Sequence, residues 1–167
     1  MHRRSESSGD TASAPSGDDA QQAMIHNMVA RLAARMTQNP TDADGWQRLA
    51  RAYNVLGERD KARDAMGRAV RLKPDDVEEQ LMLADIEKAG AAPGDDTPAD
   101  FIATLRKVLK LDPGNEKALY FVGLSELNSG HPGIARAMWK RALVRAGGTH
   151  DELATSIRNR LDALSRQ

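Results

Sequence analysis

From Met24 onward the apolar positions return with the period of an α-helix. Met24, Met28, Leu32 and Met36 recur every four residues and so share one helical face. Asn39-Pro40 ends that helix, because proline lacks an amide donor and disfavours helical backbone in the residue before it. The same succession of apolar stripe and breaker continues along the chain. It predicts helices near 24–36, 43–56, 59–71, 76–89, 98–110, 115–129, 132–145 and 150–165. The last holds Leu153, Ile157, Leu161 and Leu164 on one stripe with polar residues elsewhere, the pattern of a helix that solvates the end of a stack. Helix 24–36 is expected to play that part at the other end. Residues 1–22 contain no Val, Ile, Leu or aromatic residue. Such a segment cannot bury enough surface to offset its ordering entropy, so it reads as a disordered tail or linker, with the ordered domain over 23–167.

The chain also repeats. Pro40 and Pro74 are 34 residues apart, and Pro74 and Pro113 are 39 apart. The extra five fall in Gly90–Pro98, a loop by its glycine, proline and aspartate content. The first and third units then align: Leu49 with Val122, Ala50 with Gly123, Gly57 with Gly130, Ala62 with Ala135, Met66 with Trp139, Ala69 with Ala142. In the first unit Trp46, Leu49, Ala50, Tyr53, Ala62, Met66, Ala69 and Pro74 occupy the signature positions of a tetratricopeptide (TPR) repeat. Small residues let paired helices approach, large ones fill the space between pairs, and the proline turns the chain into the next unit. The middle unit is degenerate, with Gln80 at the tryptophan position and Glu87 at the tyrosine position. The fold expected is all-α: a TPR-type superhelix of about three helix pairs, the middle one degenerate and carrying an insertion, with flanking helices at both ends.

Composition narrows the function. The 24 Lys and Arg balance 24 Asp and Glu, so there is no broad basic field for nucleic acid. Aromatic residues make up 4%, which argues against a β-sandwich. There is no cysteine, which removes disulfides, thiolate metal sites and cysteine nucleophiles. Uncharged runs fall well short of the roughly 20 apolar residues of a membrane span. The basic start Met1-His2-Arg3-Arg4 is followed by no apolar stretch, so it is not a signal peptide. His2, His26, His131 and His150 form no metal-binding spacing, and there is no phosphate-binding glycine loop. Asp75-Asp76 and Asp95-Asp96 precede helices, where acids cap free amides and favour the positive end of the dipole. No metal, cofactor or catalytic residue is assigned, and an enzyme is not expected.

What remains is the concave face, lined in this fold by positions 2, 5, 9 and 12 of each repeat. The first unit presents Asp44, Gln47, Arg51 and Asn54. The second presents Glu78, Leu81, Asp85 and Lys88, and the third Lys117, Tyr120, Leu124 and Leu127. The face is thus polar at one end and apolar at the other. The candidate peptide-binding groove is Gln47, Arg51, Asn54, Leu81, Asp85, Lys117, Tyr120, Leu124 and Leu127. It fits an amphipathic helix laid down on its apolar side, with Arg51 and Lys117 pairing acids and Tyr120 in the groove rather than the core. The alternative for Leu124 and Leu127 is that they pack under helix 150–165. TPR modules that clamp a C-terminal Glu-Glu-Val-Asp peptide carry lysine and asparagine where this chain has Gln47 and Arg51, so that mode is not supported.

Beyond the repeat signature, Met28-Val29-Ala30-Arg31-Leu32 leading to Asn39-Pro40, Gly45-Trp46 through Leu56-Gly57, Lys117-Ala118-Leu119-Tyr120 with Gly123, and Ile134-Ala135 through Trp139, Arg141 and Leu143 resemble the periplasmic TPR domain of the c-type cytochrome biogenesis proteins of the CcmI/CycH type. The resemblance runs from about Met28 to Leu164. It implies a holdase that binds the C-terminal helix of apocytochrome c and presents its C-x-x-C-H site to the thiol-reducing components and the haem ligase. It also implies a periplasmic location. Family members are tethered by two N-terminal membrane helices; none is present here, so the sequence reads as the detached module. The absence of cysteine agrees, since a holdase for a thiol-bearing chain should not form mixed disulfides with it. A generic TPR scaffold with another protein partner is the competing reading.

Overall fold

Three helices of the chain open in the same way. Asp42, Asp76 and Asn115 each turn a side-chain oxygen back onto the first turn that follows, accepting from the amides of Gly45, of Glu78 and Glu79, and of Ala118 at 2.8–3.2 Å. The computed structural model describes residues 17–145 and 152–166. They hold α1 (Gly17–Gln38), α2 (Ala43–Val55), α3 (Arg59–Leu72), α4 (Val77–Ala89), α5 (Ala99–Leu111), α6 (Glu116–Asn128), α7 (Pro132–Arg145) and α8 (Glu152–Ser165). The capped helices α2, α4 and α6 are the inner helices of three pairs, α2–α3, α4–α5 and α6–α7, stacked in chain order. This is the superhelix the repeat pattern predicts, with the loop 90–98 between α4 and α5 as the insertion.

One boundary differs from the sequence reading. α1 begins at Gly17, so residues 17–22 are helical rather than part of a disordered tail. The expectation rested on their having nothing to bury, and indeed residues 19–22 are exposed. Helix propagation needs no burial once a packed segment has nucleated it. Ala20, Gln21 and Gln22 are good helix formers, and Asp18 and Asp19 favour the start. Residues 1–16 lie outside the described residues. α1 buries its core residues in its second half: Val29 and Met36 are buried, while Met24 and Met28 are 59% and 62% exposed.

The packing follows the repeat positions. In the first pair Trp46, Leu49 and Ala50 of α2 face Ala62, Met66 and Ala69 of α3. In the third pair Gly123 lets Trp139 of α7 lie against α6 backbone; a β-carbon on Gly123 would stand 2.6 Å from the indole nitrogen. That nitrogen donates to the carbonyl of Tyr120 at 3.0 Å. The middle pair packs Ala84 of α4 with Phe101, Ile102, Leu105 and Val108 of α5, and Val122 of α6 joins the cluster.

The carbonyl of the proline that opens each repeat accepts a side-chain hydrogen bond, which ties the turn to the helices. Three different side chains serve. Trp46 Nε1 donates to Pro40, Gln80 Nε2 to Pro74 and Arg141 Nη2 to Pro113, at 3.0, 3.0 and 2.8 Å. Gln80 is therefore not only a lost tryptophan, since it keeps the indole's hydrogen bond while giving up its volume.

The turns inside the first and third pairs share one crossed hydrogen-bond pattern. Glu58 N–H donates to Tyr53 and Gly57 N–H to Asn54; His131 donates to Glu126 and Gly130 to Leu127. This crossed pattern ends a helix on a left-handed residue, and Gly57 and Gly130 have φ of 74° and 82°.

Candidate functional site

Four of the nine residues expected in the groove, Gln47, Arg51, Leu81 and Lys117, line open crevices on the surface. Gln47 and Arg51 of α2 line a crevice of about 490 Å³ with Asp44, Lys73 and, from α4, Glu78 and Glu79. Arg51 is exposed and its Nε rests 3.5 Å from Met82 Sδ of the next repeat. Asn54 is exposed one turn further along α2. Asp85 of α4 and Lys117 of α6 form an ion pair that ties the second repeat to the third. Leu81 and Lys117 line a second crevice, about 330 Å³, together with Leu153 of α8.

The other three residues are not available in this way. Tyr120 and Leu124 are 9% and 5% exposed and belong to the core cluster of α6, α7 and α8, together with Ile157 and Leu164. Leu127 is half-buried against the same cluster. The expectation that the Tyr120 ring lies in the groove is corrected: α8 covers it. Arg160 of α8 donates from Nε to the Tyr120 hydroxyl at 3.1 Å and lies 5.6 Å over the ring. The physical reason lies in the two helices together. Tyr120, Leu124 and Leu127 form one apolar stripe on α6, α8 has another, and two stripes close in the chain bury each other before either waits for a partner.

Electrostatics divide the open part. Lys73 bridges the crevice, 2.6 Å from Asp44 and 3.9 Å from Glu79. The hydrogen bond from Lys73 holds the Asp44 carboxyl below its ordinary range, and Asp44 in turn raises the Lys73 ammonium. Glu79 is 2% exposed and its Oε2 has no hydrogen-bond partner. Burial pushes its carboxyl up, against the pull of Lys73. Glu79 stands where the first and third repeats have Gly45 and Ala118, and nothing in its local sequence marked it as buried. At the tyrosine position Glu87 is likewise raised by burial, opposed by a hydrogen bond from the Thr104 hydroxyl. No group of three or more His, Asp or Glu that could hold a metal occurs among the described residues. His26 and His131 lie beside Glu58 and Glu126; His2 and His150 lie outside the described residues.

The eight described helices define a TPR superhelix. More particularly, the family model for the cytochrome c-type biogenesis protein H TPR domain matches residues 7–152, and the chain belongs to that family. It is 48% identical over 61 residues to the cytochrome c-type biogenesis protein CycH of Bradyrhizobium diazoefficiens, covering 36% of this chain and 16% of that protein. It is 25% identical over 134 residues to CcmH of Escherichia coli K12, covering 80% of this chain and 38% of that one. The chain thus spans well under half the length of these relatives. Among solved structures it superposes on MamA with a TM-score of 0.57 at 14% identity, covering 81% of this chain and 77% of that one. The type III secretion translocator chaperone SycD of Yersinia enterocolitica gives 0.55 at 17% identity, covering 77% and 96%. These likenesses show the fold. The relatives' names are those of cytochrome c-type biogenesis proteins. No helix among the described residues is long and apolar enough to cross a membrane.

Proposed function

We propose that this domain is a holdase for apocytochrome c in the periplasm, gripping the C-terminal helix of that chain while haem is attached. Membership of the cytochrome c biogenesis family supports the client. The observation that carries the mode of binding is the open strip itself: Leu81 and Met82 flanked by Arg51 and by the Asp85–Lys117 pair. An amphipathic helix can lay an apolar ridge on such a strip and point its charged flanks at both signs. The remaining maturation components, the haem ligase among them, would meet the client while it is held.

The test is calorimetric titration with a synthetic peptide of the apocytochrome C-terminal helix. Two or three apolar contacts, offset by association and ordering costs, give a dissociation constant on the order of micromolar. The free peptide is short and marginally helical, so the mixture should show more helical circular dichroism than the sum of the parts. Leu81→Ala should weaken binding by ~1 kcal/mol without unfolding the domain. Absence of binding at several hundred micromolar would leave the generic scaffold reading in its place.

A further inference from the structure

In the first two repeats the groove positions 5 and 9 stand open: Gln47 and Arg51 in α2, Leu81 and Asp85 in α4 are exposed or half-buried. In the third repeat the same positions, Tyr120 and Leu124, are buried. What closes them is α8, which packs on α6 as well as on α7 and so lies across the inner face. Its contact residues are Ile157, Leu161 and Leu164, with Arg160 bonded to the Tyr120 hydroxyl. The chain therefore shows helix-in-groove recognition within itself.

We propose that α8 is a resident occupant of the ligand groove. A partner helix with the same pattern, apolar at i, i+4 and i+7 and basic at i+3, displaces it from Tyr120 and Leu124. This deepens the peptide-binding reading above and rests on it for the identity of the natural partner, not for the displacement. The resident helix enjoys an effective concentration of about millimolar for a short tether, so a competing helix binds with its intrinsic affinity reduced by the fraction of time α8 is away. A holdase gated in this way keeps its apolar surface covered until a client arrives.

The variant is Arg160→Ala in the full chain, which removes the bond to Tyr120 and leaves the apolar stripe of α8 in place. Two probes are used: a synthetic peptide of residues 152–166, supplied at about 1 mM, and the apocytochrome C-terminal peptide. Loss of one charge-assisted hydrogen bond should raise affinity for the 152–166 peptide about threefold to tenfold. At saturation, amide exchange should accelerate in α8 and not in α2 or α3. Unchanged or weaker affinity in Arg160→Ala, or α8 amides that keep their protection at saturation, overturns the displacement. If the 152–166 peptide binds and strips α8 while the apocytochrome peptide does not bind, displacement stands and the proposed client falls.

Discussion

Gly123 shows how little room a TPR pair leaves. A methyl group there would stand 2.6 Å from Trp139 Nε1 and would push away the ring whose nitrogen satisfies the Tyr120 carbonyl at 3.0 Å. Gly123→Ala should therefore cost ~2–3 kcal/mol in urea unfolding, from overpacking and a broken buried hydrogen bond. Gly133, in the same pair, meets nothing within 4 Å of its β-position, so Gly133→Ala should be neutral or stabilising by ~0.5 kcal/mol. Glu79 makes the opposite kind of prediction. Its folded carboxyl is raised above the ordinary 4.5 by burial, so the folded state retains a proton that the unfolded state has released. Its contribution is favourable below about that value and is lost as pH rises. Glu79→Gln should unfold at a higher urea concentration than the parent at pH 7, and the gap should narrow towards pH 4. A lower midpoint at pH 7 would mean that its attraction to Lys73 outweighs the cost of burial.

At the scale of helices and turns, the crossed hydrogen bonds at Gly57 and Gly130 predict a matched pair of effects. Alanine at either position must adopt a left-handed backbone, costing about 1 kcal/mol each by thermal or urea unfolding. The loop 91–97 should be the fastest-exchanging internal segment among the described residues. Few of its amides have backbone partners, and Lys88 ties it down mainly through the Asp95 carbonyl and the Asp96 carboxylate at the exposed rim. Exchange slower there than in α3 would refute this. The helices themselves were legible in the sequence because their signals are local: stripe, cap and breaker lie within a dozen residues. The start of α1 was not, because its first turns are held by propensity and continuity rather than burial. Nor were the donors to Pro74 and Pro113. Gln80 looked like a loss when judged by volume, and Arg141 reaches Pro113 from 28 residues away.

The concave face of the whole molecule was legible as far as each repeat speaks for itself. Gln47 and Arg51 line one open crevice and Leu81 and Lys117 another, and Asn54 and Asp85 stand exposed beside them. Register cannot say what a following helix will do, and that is why Tyr120, Leu124 and Leu127 were assigned to the groove. Tyr120→Ala should accordingly lower stability by ~2–4 kcal/mol, a core truncation that also strands Arg160, in place of the selective binding defect the sequence suggests. Trp46 and Trp139 sit in the first and third repeats, at 6% and 0% exposure, and the middle repeat has Gln80 at that position. Each end of the array consequently has its own fluorophore, and the centre is dark. Trp46→Phe leaves emission from the third repeat alone, and Trp139→Phe from the first alone. With two raised carboxyls and the proline-rich loop between them, the halves should melt apart, so the emission midpoints of the two variants should bracket the midpoint followed by far-ultraviolet dichroism. Coincident midpoints would show that the middle repeat transmits unfolding from one end to the other without a break.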